Sequence, residues 1–263
     1  MGVLNVTPDS FSDGGSFLKP ADAVTRAWEI AHQGADILDV GGESTRPGSQ
    51  GVSADEELNR VLPVLEALAE SYPLPISIDT SKREVARRAL ELGAELVNDV
   101  TGLHGSPSIG EEVARFGAGL ILMHMRGDPN TMQVIPPSPD ILSEIESWAR
   151  DSTARAGNAG VSYGKIILDP GIGFGKTVHQ NLEILRDLGR LADLGFPLLV
   201  GTSRKSFIGA LLDRPTGDRI FGSAASVAAS IMFGAHIVRV HEVAAMRDVA
   251  CFIDALRSER SEG

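Results

Sequence analysis

One cysteine in 263 residues, Cys251, leaves no partner for an intramolecular disulfide, so no covalent staple holds this fold together. Basic residues are also scarce. There are 24 Lys and Arg against 35 Asp and Glu, a formal net charge of −11, and no basic patch is visible. Nucleic acid is therefore not an expected partner, because a phosphate backbone is held by clustered cations. Long apolar runs are missing as well: stretches such as Gly119–Met123 and Leu198–Val200 fall far short of the roughly 20 residues that span a bilayer. The N-terminus shows no basic and apolar signal segment, so a cytoplasmic, reducing location is expected. Aromatic residues make up only 5% of the chain, which implies an aliphatic core. Cys251 lies in an apolar stretch of the expected last helix and is read as a core residue, not a nucleophile. The acidity does not exclude an anionic small molecule, since a few local cations or a metal dominate the field inside a cleft.

What is present is repetition. Short β-branched runs alternate with amphipathic segments in eight successive units, the pattern of βαβ architecture. Strands are expected at Gly2–Val6, Asp36–Val40, Ile76–Asp79, Leu96–Asp99, Leu120–His124, Ile166–Asp169, Pro197–Gly201 and His236–Val240. The expected helices include Val178–Leu194, Gly222–Phe233 and Val243–Arg257. Gly34-Ala35, Gly93-Ala94, Gly117-Ala118 and Gly234-Ala235 each stand between a helix and the next strand, where glycine suits a left-handed C-cap. At the opposite strand ends lie longer polar segments, Asn5–Lys19, Gly41–Ser53, His124–Pro139 and Thr202–Phe221, where chemistry is expected. An open doubly wound sheet would carry a glycine-rich phosphate turn after its first strand, and none is present. The fold class is therefore α/β, a single-domain (β/α)₈ TIM barrel over residues 1–263, with its active site at the C-terminal ends of the strands.

Those ends present Asn5, Asp39, Asp79, Asn98, Asp99, His124, Asp169, Lys205, Arg239 and His241. Asp and Asn are depleted in strands, so their recurrence at one end asks for a reason beyond folding. For Asp39 and Asp99, capping the following helix competes with a place in the site. Asp79, Asn98 and Asp169 are acceptors suited to a planar group with adjacent N–H donors. Lys205 can donate to a ring carbonyl or nitrogen, and Arg239 can lay a flat guanidinium over an aromatic ring. A flat, nitrogen-rich heterocycle fits these groups, and so does an internal salt-bridge network without a ligand.

The segments GVLNVTPDSFSDGG, DVGGESTRPGS, SIDTSK, VNDVTG, MHMRGDPNTMQ, ILDPGIGFGK, GTSRKSFIG and RVHEV, in this order from residue 2 to residue 243, resemble the successive motifs of dihydropteroate synthases. The resemblance implies condensation of a (7,8-dihydropterin-6-yl)methyl diphosphate with 4-aminobenzoate, giving dihydropteroate and diphosphate in folate biosynthesis. It implies that the pterin diphosphate is bound by Thr45, Asp79, Asn98, Met123, Asp169, Phe174, Lys205, Arg239 and His241, and 4-aminobenzoate by Phe17, Arg46, Pro47, Lys205 and Ser206. Asp13 would approach the reacting centre, making Asp13, Asp79, Asp169, Lys205 and Arg239 the catalytic set, and Asn5 would ligate Mg²⁺. A diphosphate in an acidic protein needs local cations, and one hard ion with Arg239 and His241 would supply them.

The loops Thr7–Phe17 and Ser44–Gly51 resemble the family's mobile loops over the second substrate. A homodimer is implied too, with the apolar helices Ser223–Phe233 and Val243–Leu256 as the place to look for its interface, and sulfonamides as competitors of 4-aminobenzoate. Two alternatives stand beside the synthase: a pterin-binding methyltransferase barrel, against which TRPG and SRKS weigh, and a pterin-binding module without turnover, against which Asn5, Asp169, Lys205 and Arg239 weigh.

Overall fold

A computed structural model describes residues 1–7, 20–44, 49, 51–129, 131–132 and 134–258. In chain order the elements are β1 (Gly2–Asn5), α1 (Pro20–His32), β2 (Leu38–Gly41), α2 (Ala54–Leu68), β3 (Ile76–Asp79), α3 (Arg83–Glu91), β4 (Leu96–Asp99), α4 (Ser108–Phe116), β5 (Gly119–Met123) and α5 (Ile141–Asn158). They continue with β6 (Ile166–Asp169), α6 (Val178–Arg186), α7 (Leu188–Ala192), β7 (Leu199–Val200), α8 (Ser206–Leu212), α9 (Ile220–Met232), β8 (Ile237–Val238) and α10 (Val243–Ser258).

Strands β1 to β6 pair in parallel in sequence order, and β7 pairs with β8. Two parallel bridges join these groups at both margins, Leu168 to Leu198 and Gly2 to Val240. Backbone bonds reinforce the second seam, with Val3 N–H donating to Val240 O at 3.0 Å and Val240 N–H to Met1 O at 3.0 Å. The sheet thus closes on itself as the expected (β/α)₈ TIM barrel. Closure by two-residue staves is enough because each parallel strand needs only its neighbours' backbone groups and a buried face on both sides.

At the amino-terminal face of the barrel the four Gly-Ala junctions take the conformation their composition demands. Gly34, Gly93, Gly117 and Gly234 have φ of 87°, 98°, 63° and 116°. In each, the following alanine N–H reaches back to the carbonyl five residues earlier, as in Ala35 to Ile30 and Ala118 to Val113, the Schellman closure that satisfies a helix's last carbonyls. The aliphatic core then lies between the barrel wall and its jacket of helices: Ile30, Leu38, Val61, Ile78, Val97, Leu120 and Ile184 are all buried in one cluster.

Three expectations are corrected. The helix expected over Val178–Leu194 is two, α6 and α7, broken at Asp187, whose φ of −107° and ψ of 24° leave the helical region. The break turns Leu188 and Leu191 into the core. The segment after β7 holds an extra helix, α8, whose seven residues are too few to show a periodicity. Cys251 is exposed, not buried. The buried stripe of α10 runs through Val243, Met246 and Ile253, and Cys251 lies off it beside exposed Phe252.

Candidate active site

The parallel register fixes which side chains share a level. Asn5 pairs with Gly41, Gly41 with Asp79, and Asp79 with Asn98, so the ends of four consecutive strands form one tier of the barrel. Met123 and Asp169 are paired in the same way at the ends of β5 and β6. Because strand side chains alternate, Asp39 faces the same way as Gly41, one tier below it.

Asp39 is the hub of this site. Fully buried, its Oδ2 accepts from Arg239 Nε at 2.6 Å and from Asn98 Nδ2 at 3.3 Å. Arg239 Nη2 also reaches Asp79 Oδ2 at 2.7 Å, so one guanidinium bridges two carboxylates from two different strands. Asn98 thus gives one amide N–H to Asp39 and retains a carbonyl oxygen able to accept. Asp99 answers the open question differently: it accepts from Thr101 N at 2.9 Å, Thr101 Oγ1 at 2.7 Å and Leu103 N at 2.7 Å, the bonds of a loop cap. The two neighbouring readings therefore separate, Asp39 into the site and Asp99 into the loop.

On the other side Asp169 Oδ1 accepts from Gly171 N–H at 2.7 Å. Lys205, at the N-cap of α8, holds its ammonium 3.9 Å from the centroid of the Phe174 ring, a cation–π contact. Met123 is buried beneath Gly171, and Ser206 opens α8 at an exposed position. His241 Nδ1 lies 3.0 Å from Ser203 Oγ, which also donates to Glu242 Oε2 at 3.1 Å.

Burial sets the electrostatics. It pushes the Asp79 carboxyl well up from its ordinary value, with Arg239 opposing and the Asp39 charge adding to the rise. Burial also raises Asp169, against the Gly171 N–H and the Lys205 charge. It lowers Lys205 to about 8, with Asp169 opposing. Burial works against the Arg239 cation too, but Asp39 and Asp79 outweigh it and hold the guanidinium charged. His241 is lowered to about 4 by burial and by the Arg204 and Arg239 charges, so at neutral pH its ring is uncharged. That refines the expectation of a cationic His241: in the free site it serves as a neutral hydrogen-bonding group.

Asp13, Phe17, Thr45, Arg46 and Pro47 lie outside the described residues. Asn5 is half-buried at the barrel rim. Among the described residues no cluster of three or more His, Cys, Asp or Glu could hold a metal ion. One neutral amide oxygen fits a hard divalent ion only where phosphate oxygens and water complete the shell. His124, among the strand-end residues, packs edge-on against Trp148 at 5.3 Å.

Sequence reasoning missed the importance of Lys176, whose ammonium donates to His124 O at 3.2 Å, Gly171 O at 2.8 Å and Phe174 O at 3.0 Å. The available signal was the run Gly171 to Lys176, with three glycines closing around one lysine.

A closed barrel whose carboxyl-terminal rim gathers buried acids, an amide, a lysine and an arginine belongs to the α/β-barrel class that binds its ligand at that rim. The comparisons with known proteins narrow the class. The family model described as "Pterin binding enzyme" matches residues 1–241. The chain is 49% identical to the dihydropteroate synthase of Synechocystis over 97% of its own length and 89% of that protein. The Yersinia pestis dihydropteroate synthase in a sulfonamide drug complex superposes with a TM-score of 0.92 at 43% identity, covering 98% of this chain and 93% of that one. The Xanthomonas albilineans dihydropteroate synthase with 4-aminobenzoic acid gives a TM-score of 0.91 at 42% identity over 97% and 92% of the two chains. The chain belongs to the pterin-binding enzyme family and, within it, to the dihydropteroate synthases.

Proposed function

We propose that this protein condenses (7,8-dihydropterin-6-yl)methyl diphosphate with 4-aminobenzoate to give 7,8-dihydropteroate and diphosphate. The observation that carries the reading is the convergence of Asp79, Asn98, Asp169, Lys205 and Arg239 on one buried rim, in a chain of this family. Asp79, Asn98 and Asp169 are acceptors for the N–H edge of an aminopyrimidinone. Met123 and Phe174 supply apolar walls, and Lys205, which feels the charges of Asp169 and Arg239, donates to the ring from above Phe174.

The reaction needs no side-chain nucleophile. Loss of diphosphate leaves a resonance-stabilised pterin cation, and the aryl amine captures it with release of a proton. Ionised Asp79 and Asp169 stabilise the positive ring, an electrostatic contribution that burial strengthens because little water competes. Arg239 and His241 serve the departing diphosphate, to which the family's motif also assigns Thr45. Asn5 would hold Mg²⁺ together with the diphosphate oxygens, and the ion when bound neutralises charge on the leaving group. The family's motifs assign 4-aminobenzoate to Phe17, Arg46, Pro47, Lys205 and Ser206, and a catalytic part to Asp13.

The reading extends to assembly and location. Exposed Phe221 on α9, Phe233 at its C-cap and Phe252 on α10 support a homodimer, as do exposed Leu211 and Leu212 of α8. Among the described residues no helix is long and apolar enough to cross a membrane; with a single cysteine, this is consistent with a cytoplasmic enzyme.

The deciding assay is diphosphate release from the dihydropterin substrate, dependent on 4-aminobenzoate and on Mg²⁺. Turnover that requires both supports the synthase. Tight pterin binding with no release in their presence would leave a non-catalytic pterin-binding module instead.

A further inference from the structure

Lys176 spends all three of its N–H donors on the main chain, at His124 O, Gly171 O and Phe174 O, so none is left for a ligand. Its partners come from two loops. His124 follows the last residue of β5, whereas Gly171 and Phe174 lie in the loop after β6. The two backbones are pressed together at this point: Gly171 has a φ of 65° and Gly175 a φ of 68°, and a Cβ on either would overlap the carbonyl of His124 or of Arg126. Arg126 adds a bond from Nη1 to Gly175 O at 3.3 Å, and Asn181 Oδ1 accepts from Gly173 N–H at 2.7 Å. No carboxylate forms an ion pair with Lys176 among the described residues; neutral carbonyls solvate it instead. A buried charge held this way is costly for folding alone, so its place asks for a role in what the loop presents.

The loop presents two groups to the site. The N–H of Gly171 orients Asp169 through Oδ1, and Phe174 supplies the ring over which Lys205 holds its ammonium. Both Gly171 and Phe174 are tethered through their carbonyls to the same Nζ. We propose that Lys176 is a positioning residue for pterin: by clamping the loop after β6 onto the end of β5, it fixes the Asp169 carboxylate and the Phe174 ring in their binding arrangement without touching the ligand. This rests on the pterin reading of the site.

The test uses the full chain and two variants, Lys176→Met, which keeps the stem and removes every donor, and Lys176→Arg, which keeps charge and donors. Binding of 6-hydroxymethylpterin is followed by its fluorescence, and steady-state kinetics give the two Michaelis constants separately. Lys176→Met should bind the pterin at least tenfold more weakly and raise KM for the pterin diphosphate by a similar factor. KM for 4-aminobenzoate should stay within twofold, and Lys176→Arg should recover part of the loss. A merely structural lysine would lower the melting temperature and leave the pterin affinity of the folded protein unchanged. That result overturns the proposal, as does an equal loss for both substrates or the absence of a cooperative melt in both variants. Wild-type protein that fails to bind the pterin sinks the functional reading and this proposal together, whereas pterin affinity retained in folded Lys176→Met sinks the proposal alone.

Discussion

Asp39 and Asp99 show what a single residue's surroundings decide. Both are aspartates near the carboxyl end of a strand and both are fully buried, yet one is paired with Arg239 and Asn98 and the other with loop amides. Nothing in the two local sequences separates them, because the partner that decides Asp39 lies 200 positions away. Asp79, Asn98, Asp169, Lys205 and Arg239 were legible because polar residues recur at strand ends, whereas the part of Asp39 as the hub that bonds Asn98 and Arg239 was not. Replacing Asp39 with Asn should remove a charge-assisted bond to Arg239 worth about 1.5–3 kcal/mol. If that loss falls mainly on the pterin complex, kcat/KM for the pterin diphosphate drops by about 10- to 100-fold, which steady-state kinetics would show.

Lys205 carries a second prediction at this scale. Burial has lowered it to about 8, so its cation is lost as pH rises through that value. Asp79 and Asp169 are displaced upward, so they take up protons above the ordinary carboxylate range as pH falls. The pH profile of kcat/KM should therefore be a bell with its alkaline limb near pH 8. In Lys205→Arg, whose guanidinium stays charged, that limb should move beyond the measurable range even as the plateau falls. An unmoved limb would assign it to another group.

At the scale of elements, the sequence was most readable where one residue type meets one backbone demand. The Gly-Ala junctions were visible because only glycine occupies the left-handed C-cap cheaply, and all four prove left-handed. The break at Asp187 and the short α8 were not, because tertiary burial of Leu188 and Phe207 decides them over weak local signals. Cys251 misled for a related reason: Val249–Ile253 is apolar at every position, so composition there did not reveal which side faces inward. A Cβ at Gly117 would meet nothing within 4 Å, so Gly117→Ala isolates backbone strain. It should cost about 1–2 kcal/mol and lower the melting temperature by a few degrees, with kcat unchanged. Gly171→Ala, whose Cβ would overlap the His124 carbonyl, should instead abolish pterin binding. Calorimetry and kinetics on the pair would separate a strained turn from a broken loop.

For the whole molecule, most of the large apolar side chains exposed among the described residues lie on or beside α8, α9 and α10, where Phe221 is 85% and Phe252 66% exposed. Aromatic side chains of that size are normally covered, and exposed apolar surface marks interaction sites. The wild-type chain should sediment as a dimer, and Phe221→Glu with Phe252→Glu should shift it toward the monomer; a wild-type monomer at micromolar concentration would refute the interface.

The Arg239 bridge also has a consequence for how the chain is made. Synthesis runs from the first strand to the last, so Asp39 and Asp79 leave the ribosome some 160 to 200 residues before the one cation that answers both of them. Until β8 emerges, two carboxylates destined for the barrel interior lack their ion-pair partner, and the six-stranded sheet that precedes it has an open edge at each side. The step that neutralises the interior is thus the step that shuts the barrel, and a nascent chain paused before residue 239 should remain a ready substrate for chaperones and proteases.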